Sequence, residues 1–121
     1  MSTITTHVLD TVLGKPAAGI AVRLERMLGG WVGRGAERAS SMEWVQIAAG
    51  VTDDDGRIDE LKQDAAQGVY RLTFLTGDYM NSLRRTTIYP EIAITFYCSG
   101  EGRYHLPLLL SDNSYTTYRG S

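Results

Sequence analysis

Alternation with a period of two dominates this 121-residue chain. In Ile20-Ala21-Val22-Arg23-Leu24-Glu25, apolar side chains alternate with polar or small ones, the pattern of a strand buried on one face. Tyr70-Arg71-Leu72-Thr73-Phe74 and Ile92-Ala93-Ile94-Thr95-Phe96 repeat it. Residues 3–9, 43–49, 104–110 and 115–119 are further strand candidates, rich in β-branched and aromatic types. Turn signals punctuate them: Gly14-Lys15-Pro16, Asp54-Asp55-Gly56, Gly68 and Ser99-Gly100-Glu101-Gly102. About seven or eight short strands so spaced predict an all-β antiparallel β-sandwich. One short helix is expected, over residues 77–84. Residues 29–41 read as a flexible excursion between two strands, and Pro107 inside a strand pattern predicts an edge strand or a bulge.

The length suits a single domain over 1–121 with an ordinary core. Lys plus Arg number 12 against 14 Asp plus Glu, a net charge of −2. That balance offers no electrostatic footprint for nucleic acid, and Arg84-Arg85 is too short to be one. No apolar run approaches the length that spans a bilayer, and the first residues show no apolar leader. The single cysteine, Cys98, forbids an intrachain disulfide and fits a reducing compartment. A cytoplasmic location is the expectation.

Candidate chemistry is sparse. The two histidines are His7 and His105. Alternation puts Ile4, Thr6 and Val8 on one face of the first strand, and Thr3, Thr5, His7 and Leu9 on the other. In 104–110 it makes Tyr104, Leu106, Leu108 and Leu110 core-facing and His105 outward. An outward histidine alone is most often a solvated side chain, yet an imidazole titrates near neutrality and suits acid–base work. Asp53-Asp54-Asp55-Gly56 invites a calcium reading, but Val51 and Lys62 fall where an EF-hand needs acidic ligands. A hairpin turn accounts for it better, with Arg57 a surface charge at the start of a strand. The end of the sequence, Tyr115-Thr116-Thr117-Tyr118-Arg119-Gly120-Ser121, reads as a docked closing strand. There is no nucleophile elbow, phosphate-binding loop or zinc-protease helix motif, and two histidines with Cys98 are too scattered for a metal site. Trp31 reads as a loop contact and Trp44 as a sheet contact.

Thr5-Thr6-His7-Val8-Leu9-Asp10, followed by Gly14-Lys15-Pro16-Ala17, resembles the opening signature of the 5-hydroxyisourate hydrolases, transthyretin-like proteins of urate breakdown. The closing Tyr118-Arg119-Gly120-Ser121 resembles that family's C-terminal tetrapeptide, its most specific mark. Between them Gly50-Val51-Thr52, Asp55-Gly56-Arg57, Tyr70 to Phe74, Tyr89-Pro90-Glu91 and Tyr104 to Ser111 match in order. Three stretches depart. The 29–41 loop is longer than usual, Asp112-Asn113-Ser114 stands where Pro and Gly are common, and Ile88 replaces a typical Phe.

The resemblance implies a transthyretin-like sandwich assembled as a homotetramer, a dimer of dimers. Its active sites would lie in a channel walled by outward sheet faces, with no cofactor or metal. The implied substrate is a small molecule, 5-hydroxyisourate, with no nucleic-acid or membrane partner. By the same resemblance His7 and His105 form the acid–base pair, and Arg57 binds the ring's carbonyl oxygens or its anionic form. Tyr118 and Ser121 complete the pocket, Ser121 ordering the attacking water. A transthyretin-type carrier of small aromatic ligands is the rival reading. It is discriminated by the joint presence of His7, Arg57, His105 and the closing tetrapeptide.

Overall fold

Half-buried strands must pair their backbones and cover their apolar faces, and this chain does both with two stacked sheets. The structure, a computed structural model, describes residues 1–28 and 43–120. Its elements are β1 (Ser2–Asp10), β2 (Lys15–Pro16), β3 (Ala21–Leu28), β4 (Glu43–Val51), β5 (Arg57–Ala65) and β6 (Gly68–Phe74). Then follow α1 (Thr76–Ser82), β7 (Ile92–Cys98), β8 (Arg103–Leu110) and β9 (Tyr115–Thr117). The excursion expected at 29–41, and with it Trp31, lies outside the described residues.

The first sheet has the order β2-β1-β8-β9, with β5 on the same edge of β1 as β2. The second has the order β4-β3-β6-β7. Every pairing is antiparallel except that of β1 with β8, which is parallel from Thr3–Arg103 to Asp10–Leu110. Ile4, Val8, Leu24, Leu72, Phe74, Ile92 and Leu108 are among the side chains buried between the sheets. The alternation of Val22 and Leu24 changes phase before Met27, and on the neighbouring β4 the register shifts opposite Leu24 and Glu25, leaving Ile47 as the extra residue of a bulge.

Four expectations need correction. The Asp53–Gly56 turn is not a hairpin between paired strands, since β4 lies in the second sheet and β5 pairs with β1 in the first. Lys15-Pro16, read as a turn, also pairs with Leu9 and Asp10. Pro107 lies on neither an edge strand nor a bulge: β8 runs between β1 and β9. The cost of its missing N–H falls on β9, whose ladder stops at Thr117 and resumes only as a bridge from Gly120 to His105. Residues 118 and 119 therefore leave the expected 115–119 strand.

Helix α1 buries Thr76, Tyr79 and Met80 on one face and ends where Arg84 takes φ 56°. That turn sends Arg85 back toward the body of the protein. Asp10, wholly buried at the end of β1, accepts hydrogen bonds from the Val12 and Leu13 amides, the Tyr79 hydroxyl at 2.8 Å and the Arg85 guanidinium. Burial acts to raise the Asp10 carboxyl's pKa, but these donors outweigh it and hold it below its ordinary 3.8. Burial and the Asp10 carboxylate together push the Tyr79 phenol up to about 12.

Because the folded value is depressed, Asp10 contributes stability above the ordinary carboxylate range, lost as pH falls through the folded pKa. Arg85→Ala leaves this buried carboxylate without its cation and is expected to cost about 3–5 kcal/mol at pH 7. Urea unfolding at pH 7 and again near pH 4 checks this, and the gap from the wild type should narrow at the lower pH.

Candidate functional site on the outer face of the first sheet

In a parallel pair and in an antiparallel pair alike, directly opposed residues point to the same side of the sheet. Thr5 lies beside His105 across β1 and β8, and His7 lies opposite Arg57 across β1 and β5. All four sit on the face away from buried Ile4, Thr6 and Val8, as alternation predicted for the histidines. Both imidazoles are half-buried rather than free in solvent, and Arg57 is exposed.

Each imidazole is held at one nitrogen. His7 Nε2 lies 2.8 Å from the Asp55 carbonyl, which can only accept, so Nε2 carries a hydrogen and Nδ1 is the nitrogen left for other partners. His105 Nδ1 lies 2.7 Å from Thr5 Oγ1, which leaves Nε2 available outward. Burial lowers the pKa of His105 below its ordinary 6.5, and the nearby positive charge of Arg103, Arg57 and His7 lowers it further. Asp59, next along β5, opposes the shift without cancelling it. His105 is therefore neutral at pH 7, the state a general base requires.

Arg57 is delivered by a tight turn. The Asp53 carboxylate accepts from the amides of Asp55 and Arg57, and Gly56 takes φ 74°. A Cβ on Gly56 would meet the Val8 carbonyl oxygen at 2.3 Å, so only glycine lets this turn close on β1. The Gly56 carbonyl then accepts from the Val8 amide at 2.7 Å, locking Arg57 into register with His7.

The C-terminal residues reach the same face. The Gly120 amide donates to the His105 carbonyl at 2.7 Å, and a Cβ there would lie 2.8 Å from the edge of the His105 ring. Glycine is thus required for the chain to pass beside the imidazole. The Arg119 guanidinium stacks 4.0 Å over the Tyr104 ring and donates to the Arg103 carbonyl. Tyr118, opposite Pro107 in the interrupted ladder, is 53% exposed. Ser121 lies outside the described residues.

The structure thus gathers His7, Arg57, His105, Gly120 and Tyr118 along one face. Sequence reasoning missed Thr5, Arg103, Asp59 and Arg119, whose parts depend on cross-strand neighbours. Thr5 shared a face with His7 and stood in the opening signature, and Arg119 stood in the closing tetrapeptide, but neither was given a part. No group of three His, Cys, Asp or Glu among the described residues could hold a metal ion. The depression lined by Ala21, Val22, Arg23, Gln46 and Leu75 lies at β3 and β4 in the other sheet. What the face offers chemically is two imidazoles, one held neutral, and a guanidinium fork on an open surface.

Comparison with known proteins places these features. The profile of the HIUase/Transthyretin family matches residues 4–120. The 5-hydroxyisourate hydrolase of Salmonella typhimurium is 41% identical over 121 residues, spanning 98% of this chain and 80% of that protein. The solved 5-hydroxyisourate hydrolase of Klebsiella pneumoniae superposes with a TM-score of 0.79 at 32% identity, covering 100% of this chain and 94% of that one. Transthyretin from Sparus aurata superposes with a TM-score of 0.84 at 32% identity, covering 98% and 96%. From its opening strand to the glycine that touches His105, this chain is a member of the HIUase/Transthyretin family.

Proposed function

We propose that this protein hydrolyses 5-hydroxyisourate to 2-oxo-4-hydroxy-4-carboxy-5-ureidoimidazoline in urate catabolism, the chain working as one domain over 1–121. The observation that carries this reading is the placing of His7, Arg57 and His105 on one sheet face, with the closing Tyr118-Arg119-Gly120 beside them. Hydrolases of this substrate among the relatives support it.

Three tasks must be done: a proton leaves water, the attacked carbonyl oxygen gains charge, and a small flat ring is held in place. His105 takes the water proton at Nε2, with its Nδ1–H donated to Thr5 Oγ1. The hydroxide equivalent adds to the ring carbonyl carbon, and the Arg57 fork stabilises the oxygen as it becomes anionic. Collapse breaks the C–N bond, and the departing nitrogen receives the proton. His7, with Nδ1 as an acceptor, binds the ring or relays that proton. Tyr118 borders the ring, and Ser121 orders the attacking water.

The face is open on a single chain and carries Leu9, Pro107 and Leu109 beside the polar groups. A second copy related by two-fold symmetry would cover it and turn a surface into a channel. The assembly proposed is a homotetramer, a dimer of dimers, acting in the cytoplasm. No helix of the described residues is long and apolar enough to cross a membrane.

A ligand carrier is the competing reading, and the match to Sparus aurata transthyretin gives it a footing. Fold alone does not separate the two. The catalytic constellation favours the hydrolase.

The test generates 5-hydroxyisourate in place from urate with urate oxidase and follows its ultraviolet absorbance with and without the protein. Decay should accelerate with the wild type. His105→Asn should lose roughly 10²–10⁴-fold in turnover with its far-ultraviolet circular dichroism unchanged. A well-folded wild-type protein that leaves the decay rate unaltered would favour the carrier. A second expectation concerns pH. Since the pKa of His105 is depressed, the acidic limb of kcat/KM should fall below pH 6.5. Arg103→Gln removes one of the charges that depress it and should move that limb upward, as a pH–rate profile would record.

A further inference from the structure

The stretches that depart from the family pattern, Ile88 and Asp112-Asn113-Ser114, meet one another in space. Asp112 Oδ1 accepts from Arg85 Nε at 2.9 Å and from its Nη2. Asn113 Oδ1 accepts from the Ile88 amide at 2.9 Å. Tyr89 packs edge-to-face against Tyr115, with ring centroids 5.6 Å apart and planes at 82°. The segment 85–89 thus grips the β8–β9 turn and the first residue of β9 by an ion pair, a hydrogen bond and an aromatic contact.

We infer that residues 85–89 form a clasp that positions the C-terminal tail against His105, with Asp112 and Asn113 as its positioning residues. The inference rests on the hydrolase reading for its consequence in turnover, but not for its structural part. β9 pairs over only three residues, Tyr115–Thr117, and its ladder then lapses opposite Pro107. So short a strand at the end of a sheet has little hold of its own. The turn before it contains neither Pro nor Gly to preset its backbone, so contacts must do so. One set is internal, the Ser111 amide to the Ser114 carbonyl at 3.0 Å. The other is the clasp.

The clasp also supplies a reference frame. Arg85 donates to Asp112 and, on its other edge, to buried Asp10 at the end of β1. β1 carries His7, and β9 leads to Tyr118 and Gly120. One guanidinium therefore ties the strand bearing one imidazole to the strand that passes beside the other. Arg119, stacked on Tyr104, fixes the far end of the tail. The clasp fixes the near end and so sets where along β8 the tail begins.

Asp112→Ala combined with Asn113→Ala removes two of the three contacts while leaving Arg85 on Asp10. Amide hydrogen exchange at Gly120, bonded to the His105 carbonyl, should accelerate at least about tenfold, with core amides such as Leu24 and Leu72 unchanged. In the assay above, kcat should fall about tenfold, since displacement of supporting groups by an ångström can cost up to about 10²-fold. Asp112→Glu alone, which keeps the ion pair, should retain most turnover. Wild-type Gly120 protection and wild-type kcat in the double variant would overturn the inference. So would loss of protection spread evenly over Leu24, Leu72 and Gly120, which would mark a merely structural role. If the wild type itself fails to speed 5-hydroxyisourate decay, the hydrolase reading falls, and Gly120 exchange still decides the clasp.

Discussion

The parallel pairing of β1 with β8 is the constraint on which the rest of this structure depends. The two strands are joined by most of the chain, so their ladder closes a long loop and must be repaid by what the loop builds. Between them the chain lays down the whole second sheet, the helix and β5, and these supply the apolar cover that holds β1 and β8 together. Once formed, the ladder places Thr5 next to His105 and leaves β1's other edge free for β5. Arg57 then arrives opposite His7. The chemistry is thus assembled on β1 by two strands, β5 and β8, neither of which follows it directly in sequence.

The electrostatics of the site follow from that arrangement. An imidazole half-buried in a sheet face, with Arg57, Arg103 and His7 around it, resists taking a proton. The positive field that adds to burial in keeping His105 neutral would also attract an anionic or carbonyl-rich ring. At the other end of β1 the balance is reversed. Asp10 is fully buried yet keeps its charge, because Arg85, Tyr79 and backbone amides replace the water it has lost. β8 thus carries an imidazole that burial and nearby cations keep neutral, while its parallel neighbour β1 ends on a carboxylate that a cation keeps ionised.

Much of the fold was legible. The alternation in 20–25, 70–74 and 92–96 became β3, β6 and β7, and the helix expected over 77–84 formed at Thr76–Ser82. The histidines' face was legible for the same reason, since a period of two leaves no choice of side once one face is apolar. Pro107 was misread because a missing N–H was assumed to need an edge. In fact β9's ladder is simply interrupted there, and Gly120 resumes it. The Asp53–Gly56 turn was misread because its local bonding resembles a hairpin, while its strands part to different sheets.

By itself the sequence determined most of the strands and their buried faces, though not the extent of β5 or the pairing of β2, and it carried the motif resemblance that named a family. These are local properties, set by backbone sterics and by the period of apolar side chains. Only the tertiary structure decided that Thr5 would hold His105, that Asp55's carbonyl would choose the tautomer of His7, and that Arg85 would join Asp10 to Asp112. Those pairs lie between 27 and 100 residues apart along the chain. No local pattern encodes such a contact, because it exists only after sheet register has brought distant backbones side by side.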